Sequence, residues 1–149
     1  MVRDVIEGID DAELTQRLQP VLGRLNRMLR RAEPSVIGPG AMSALFTLFH
    51  EGPLRPSDLA TREGVRPPTM TRIVAGLEEA GYVERTVDPA DRRASLLAVT
   101  ALGNELVLGT RAARQSYLAR HMARLTPAER RALSAALPVL ESLAQTAAE

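Results

Sequence analysis

A chain of 149 residues, 45% hydrophobic and 25% charged, is sized for one domain and can bury a core of its own. It has no cysteine, which excludes disulfides, thiolate metal sites, a cysteine nucleophile and thiol-based sensing of oxidants. Net charge is only +1, so the total alone points to no partner. All 19 basic residues are nevertheless arginine, the better residue for forked contacts to phosphate and guanine, although a GC-rich coding bias gives the same composition. Aromatics are 3% and Trp is absent, so the core must be aliphatic, which favours packed helices. No apolar run reaches the roughly 18 residues of a membrane span. The start, "MVRDVIEGIDDAEL", is mixed and acidic, unlike a signal peptide, and a cytoplasmic protein is expected.

Residues 13–31 carry Leu14, Leu18, Val21, Leu22, Leu25 and Met28 at helical spacing. Arg24, Arg27, Arg30 and Arg31 crowd the end of this helix, where they suit its dipole. The stretch "EPSVIGPG" at 33–40 is a breaker-rich loop, and 41–50 is a second helix stopped by Gly52-Pro53. Pro56 fits the first position of a short third helix, Asp58 is placed to reach back as in a capping box, and Gly64 closes it.

The next stretch, "VRPPTMTRIVAGLEEAGYVER", opens a fourth helix on two prolines. A residue before proline is pushed to extended geometry. Pro67 is therefore expected at or just before the cap and Pro68 in the first turn. Met70, Ile73, Val74 and Leu77 mark a buried face. Pro68, Thr69, Thr71, Arg72 and Ala75 fall opposite, with nothing acidic among them. Such a face can enter a major groove N-terminus first; the plainer alternative is the solvated face of an ordinary helix. Gly81 ends the helix. Strands at 82–87 and 95–99 flank a polar turn at 88–94 that carries Arg92 and Arg93, with Asp91 expected to orient Arg93 by a salt bridge. A helix-turn-helix at 55–80 followed by a hairpin at 82–99 is a winged helix, and an Arg-tipped wing can reach a minor groove or phosphates. Thr100 caps a long fifth helix, running roughly 36 Å to about residue 124. "TPAE" at 126–129 is a full capping box for a last helix striped by Leu133, Leu137, Leu140 and Ala144, with a kink expected at Pro138. The fold class expected is mainly α with a small β-wing.

These motifs resemble the multiple-antibiotic-resistance regulator (MarR) family of bacterial transcription factors over residues 13–146. "TRIVAGLEEAGYVER" is similar to the family's recognition helix and first wing strand. "DPADRRASLLAVTALG" is similar to its wing, in which an Asp-any-Arg motif leads to Val-Thr with Gly three residues later. The resemblance implies one domain over 1–149. A winged lobe at 41–99 lies between dimerisation helices at 13–31 and 101–146, and a homodimer straddles a pseudo-palindromic double-stranded DNA operator. It implies DNA contacts from Ser57, Pro68, Thr69, Thr71 and Arg72, and from Arg92 and Arg93 on the wing. Many members are repressors released by small anionic aromatic compounds. Arg17, Arg24, His50, Arg111 and Arg114 are the polar candidates for such a pocket. Two departures stand out. Arg66 occupies the cap where a Ser or Thr is usual; it cannot accept the cap bond but can clamp a phosphate. The double proline removes two backbone donors from the helix start.

Three other readings compete. An enzyme lacks support, because His50 and His121 lie in different helices with no triad spacing. A metal-responsive regulator would need His50, Glu51 and His121 to converge, a poor set for zinc. A winged-helix module that binds protein and not DNA is the third. No cofactor is implied.

Overall fold

The computed structural model describes residues 9–31 and 36–146. Helix α1 spans Asp11–Arg30, α2 Pro39–Glu51, α3 Pro56–Arg62 and α4 Pro67–Glu79. Strands β1 (Val83–Asp88) and β2 (Asp91–Val99) form one antiparallel hairpin, followed by α5 (Ala101–Met122) and α6 (Pro127–Thr146). The class is mainly α with a small β-wing.

Helix boundaries follow from caps. The Asp10 carboxylate accepts the Glu13 N–H at 2.8 Å, which starts α1 two residues ahead of its apolar pattern. Pro39 starts α2 ahead of the expected 41, and part of the 33–40 loop lies outside the described residues. Pro56 does open α3, but Asp58 accepts the Ser57 hydroxyl at 3.4 Å and Arg55 makes no side-chain cap bond. Helices α3 and α4 both end on a left-handed glycine, Gly64 at φ 62° and Gly81 at φ 75°. In each, the residue after the glycine donates to the carbonyl five residues back: Val65 N–H to Ala60 O at 3.0 Å, and Tyr82 N–H to Leu77 O at 2.9 Å. The capping box of α6 forms: Glu129 accepts both the Thr126 N–H and its hydroxyl at 2.8 Å, and its pKa is lowered by those two bonds. Helix α6 is continuous through Pro138, which removes one rung of its ladder without ending it.

The hairpin departs from expectation. Its turn is Pro89-Ala90 alone, and β2 begins at Asp91, so Arg92 and Arg93 lie in the strand and not in a seven-residue turn. Val83 pairs with Val99 and Val87 with Ser95, but Asp88 then pairs with Asp91. Residues 92–94 fall between those two pairs with no register partner, a bulge beside the tip. The tight turn has a cause: the Asp88 carboxylate accepts the Ala90 N–H at 2.8 Å. A bridge unexpected from the sequence also joins Leu54 to Leu97 through bonds of 3.2 and 2.8 Å, tying the entry of α3 to the wing.

The core belongs to the lobe. Leu45 from α2, Leu59 from α3, Met70, Val74 and Leu77 from α4 and Leu97 from β2 are fully buried, and Val107 closes the cluster from α5. Gly103 lets α5 approach: a Cβ there would stand 2.2 Å from the Tyr82 carbonyl oxygen. Thr100 fastens the same corner, its hydroxyl donating to Gly81 O at 2.6 Å and accepting the Gly103 N–H at 3.1 Å. Helix α1, by contrast, buries no residue.

Candidate nucleic-acid interface

The start of α4 is one position tighter than the sequence suggested. Arg66 is the extended cap residue (φ −70°, ψ 145°), and Pro67 and Pro68 are the first two helical residues. The proline before-effect acts on Arg66, and Pro67 already has the φ that a helix requires. Arg66 makes no side-chain cap bond. Its carbonyl accepts both the Thr69 N–H (2.9 Å) and the Met70 N–H (3.1 Å). Pro68, Thr69, Thr71 and Arg72 are exposed, while Met70, Val74 and Leu77 are buried behind them.

Arginines divide into two sets. Arg66, Arg72, Arg92 and Arg93 are exposed, and their guanidinium groups make no hydrogen bond or ion pair among the described residues. Arg55, Arg62 and Arg85 are paired instead. Arg62 bonds Glu51 and ties α3 to α2. Arg85 reaches Glu78 at 2.7 Å and the Ser95 hydroxyl at 3.2 Å, fixing β1 to the end of α4. Arg55, at the α3 cap, directs Nε (2.9 Å) and Nη2 (2.6 Å) to Oδ2 of the buried Asp88. The Ala90 N–H, and next the Arg55 guanidinium, hold the Asp88 carboxyl below the usual carboxylate range, and Asp88 raises Arg55 in return. This pair locks the helix-turn-helix to the wing. Sequence reasoning missed it because the partners are 33 residues apart and leave no local pattern.

Asp91 also acts differently from expectation. Its Oδ1 accepts the backbone N–H of Arg93 at 3.0 Å, and no Asp91–Arg93 ion pair forms. Asp91 thereby shapes the bulge and leaves the Arg93 guanidinium unengaged. Ser57 is exposed near the start of α3.

A cleft of about 470 Å³ opens between α1, α2 and α5, lined by Asn26, Arg30, Met42, Ser43, Phe46 and Arg114 among others. Of the five polar candidates, only Arg114 lines it, with its guanidinium 4.9 Å from the centre of the Phe46 ring. Arg17 is instead exposed and pairs with Glu13 at 3.4 Å. Arg24 and Arg111 are exposed outside the lining. His50 is exposed, stacked on Phe46 at 6.4 Å and edge-on to Phe49 at 5.2 Å. His121 Nδ1 contacts the Tyr117 carbonyl at 2.9 Å. Among the described residues no three His, Asp or Glu side chains are gathered to hold a metal, so His50, Glu51 and His121 do not converge. No described helix is long and apolar enough to cross a membrane.

A short helix, a glycine turn, a second helix with a basic outer face and a hairpin with unengaged arginines beside its tip define a winged helix-turn-helix DNA-binding protein. Known proteins agree. A model of the MarR family matches residues 37–95. An HTH-type transcriptional regulator of Mycobacterium tuberculosis is 42% identical over 134 residues, 89% of this chain and 94% of its own. The HTH-type transcriptional repressor MdtR of Bacillus subtilis is 31% identical over 116 residues, 78% of this chain and 71% of its own. Among solved structures, a transcriptional regulator of Pseudomonas aeruginosa matches with a TM-score of 0.80 at 31% identity, covering 91% of this chain and 96% of that one. The chain belongs to the MarR family: it is a transcriptional regulator and not an enzyme.

Proposed function

We propose that this chain is a cytoplasmic homodimeric repressor on a pseudo-palindromic operator. The supporting observation is the set of four arginines without partners among the described residues, Arg66 and Arg72 at the start of α4 and Arg92 and Arg93 in the wing bulge, on a protein that pairs its other lobe arginines. Arg72 is the long donor on the outer face of α4, and its fork suits O6 and N7 of a guanine. Thr69 and Thr71 accompany it in the major groove, and Arg66 and Ser57 face phosphates. Arg93, with Arg92, follows the phosphates into the minor groove. Helices α1, α5 and α6 carry the dimer contacts, placing half-site centres about 10 bp apart. The repressor sign is that of the relative MdtR. The cleft beside Arg114 is the place for a small anionic or aromatic effector: Arg30 and Arg114 supply charge, Phe46 and Met42 apolar surface.

The test is binding to genomic fragments selected by the protein itself, measured against salt. Arg93→Ala should weaken every sequence and lower the salt slope by about 1 per half-site, about 2 for the dimer. Arg72→Ala should cost about 1–3 kcal/mol at one symmetric pair of operator positions and relax the base preference there. A uniform loss would assign Arg72 to the backbone, and binding without any salt dependence would remove the DNA reading altogether.

A further inference from the structure

The outer face of α4 is chemically unusual for a surface that reads DNA. Pro67 and Pro68 have no N–H, and the Thr69 N–H is already bonded to the Arg66 carbonyl. Thr71 is exposed, yet its hydroxyl donates to the Pro67 carbonyl at 3.0 Å. A hydroxyl has a single proton. With that proton committed to the helix, the Thr71 rotamer is fixed, its oxygen keeps only acceptor capacity, and its methyl group is the free end. Pro68, Thr71 and Ala75 follow at helical spacings of three and four and are all exposed. They form one apolar ridge, with Arg72 beside it.

In the major groove the one apolar group that base pairs display is the C5-methyl of thymine. We infer that this ridge is a thymine reader: Thr71, through its methyl group and flanked by Pro68 and Ala75, selects a thymine in each half-site next to the base that Arg72 contacts. The inference rests on the DNA-binding reading and adds the specificity of a second base position. It assigns to Thr71 a role other than hydrogen-bond donation to a base, because its one proton is already in use.

The experiment replaces each thymine of the selected operator with deoxyuridine, which removes only the methyl group and keeps the pairing. The expected result is a loss confined to one symmetric pair of positions. It should be about fourfold per methyl group and about 15-fold with both half-sites changed, the equivalent of one buried methyl each. Thr71→Ser, which keeps the hydroxyl and drops the methyl, should bind thymine and uracil operators alike at that position. Thr71→Val, which keeps methyl groups and drops the hydroxyl, should still discriminate. Equal binding of every uracil operator by the parent protein overturns the inference and leaves the regulator reading intact. Discrimination that survives in Thr71→Ser, or vanishes only in Thr71→Val, overturns the assignment to the methyl group. Absence of sequence-specific binding to any duplex overturns both readings.

Discussion

The winged lobe and the outer helices are built from the same aliphatic residues and use them differently. The twelve buried hydrophobic residues among those described all lie between Met42 and Val107. Helix α1 has a stripe as regular as that of α4 but buries nothing, and Leu14, Leu22 and Leu25 stay 43–53% exposed. On α6, Leu137 and Leu143 are 51% and 56% exposed. Leu14, Leu18, Leu22 and Leu143 line a groove of about 450 Å³ between α1 and α6. Burying such a side chain is worth about 1.5–3 kcal/mol, and monomers rarely leave contiguous patches of this kind uncovered. A helical period therefore states which residues share a face. It does not state whether the face meets its own chain or a second copy.

The largest expected effect is at Gly103, where α5 packs on the lobe. Gly103→Ala drives a methyl group into the Tyr82 carbonyl, which is backbone and cannot swing away. It should cost about 3 kcal/mol and lower the urea midpoint of the lobe. An unchanged midpoint would mean that α5 does not sit against the hairpin as described. Next in size is Leu22→Glu in the α1–α6 groove. The lobe should stay folded, with helical circular dichroism retained, while operator affinity falls by roughly a hundredfold as two half-sites become one. Unfolding by this variant would contradict the division between the two regions.

The smallest effect is at the Arg55–Asp88 lock. Because folding lowers the Asp88 pKa, its stabilisation is complete above the unfolded carboxylate value of about 3.9 and is lost as pH falls through the lower folded value. The wing should therefore be insensitive to pH near neutrality and loosen only in acid. Asp88→Asn should speed hydrogen exchange at the Ala90 amide at neutral pH and remove the acid dependence. An acid limb that persists in Asp88→Asn would assign it to other carboxylates, Glu129 among them, whose pKa is also lowered.

What the sequence made legible was local. Met70, Val74 and Leu77 follow one helical period, Thr100 and Thr126 cap within three residues, and Gly64 and Gly81 close short helices. The Glu13–Arg17 pair was equally local and readable from its spacing of four, which argues against Arg17 as a pocket residue. Long-range geometry was not legible. Neither the Arg55–Asp88 lock nor the Leu54–Leu97 bridge has a signature along the chain. The wing tip was drawn too long because Asp88, polar in type, is buried and ends a strand. Asn26, Arg30, Ser43 and Phe46 were missed as cleft residues because that cleft exists only where three helices meet. Arg66, Arg72, Arg92 and Arg93 were singled out in the sequence at the helix start and the wing, but Arg93 was expected to pair with Asp91, whose carboxylate takes the Arg93 backbone N–H instead.

In the proposed homodimer the exposed stripes of α1 and α6 face the second copy. Sedimentation equilibrium on the full chain at low micromolar concentration tests it directly. The expected result is a species of twice the 16.2 kDa chain mass, with no folded monomer on dilution. A stable, folded 16.2 kDa monomer that still binds the operator would contradict it.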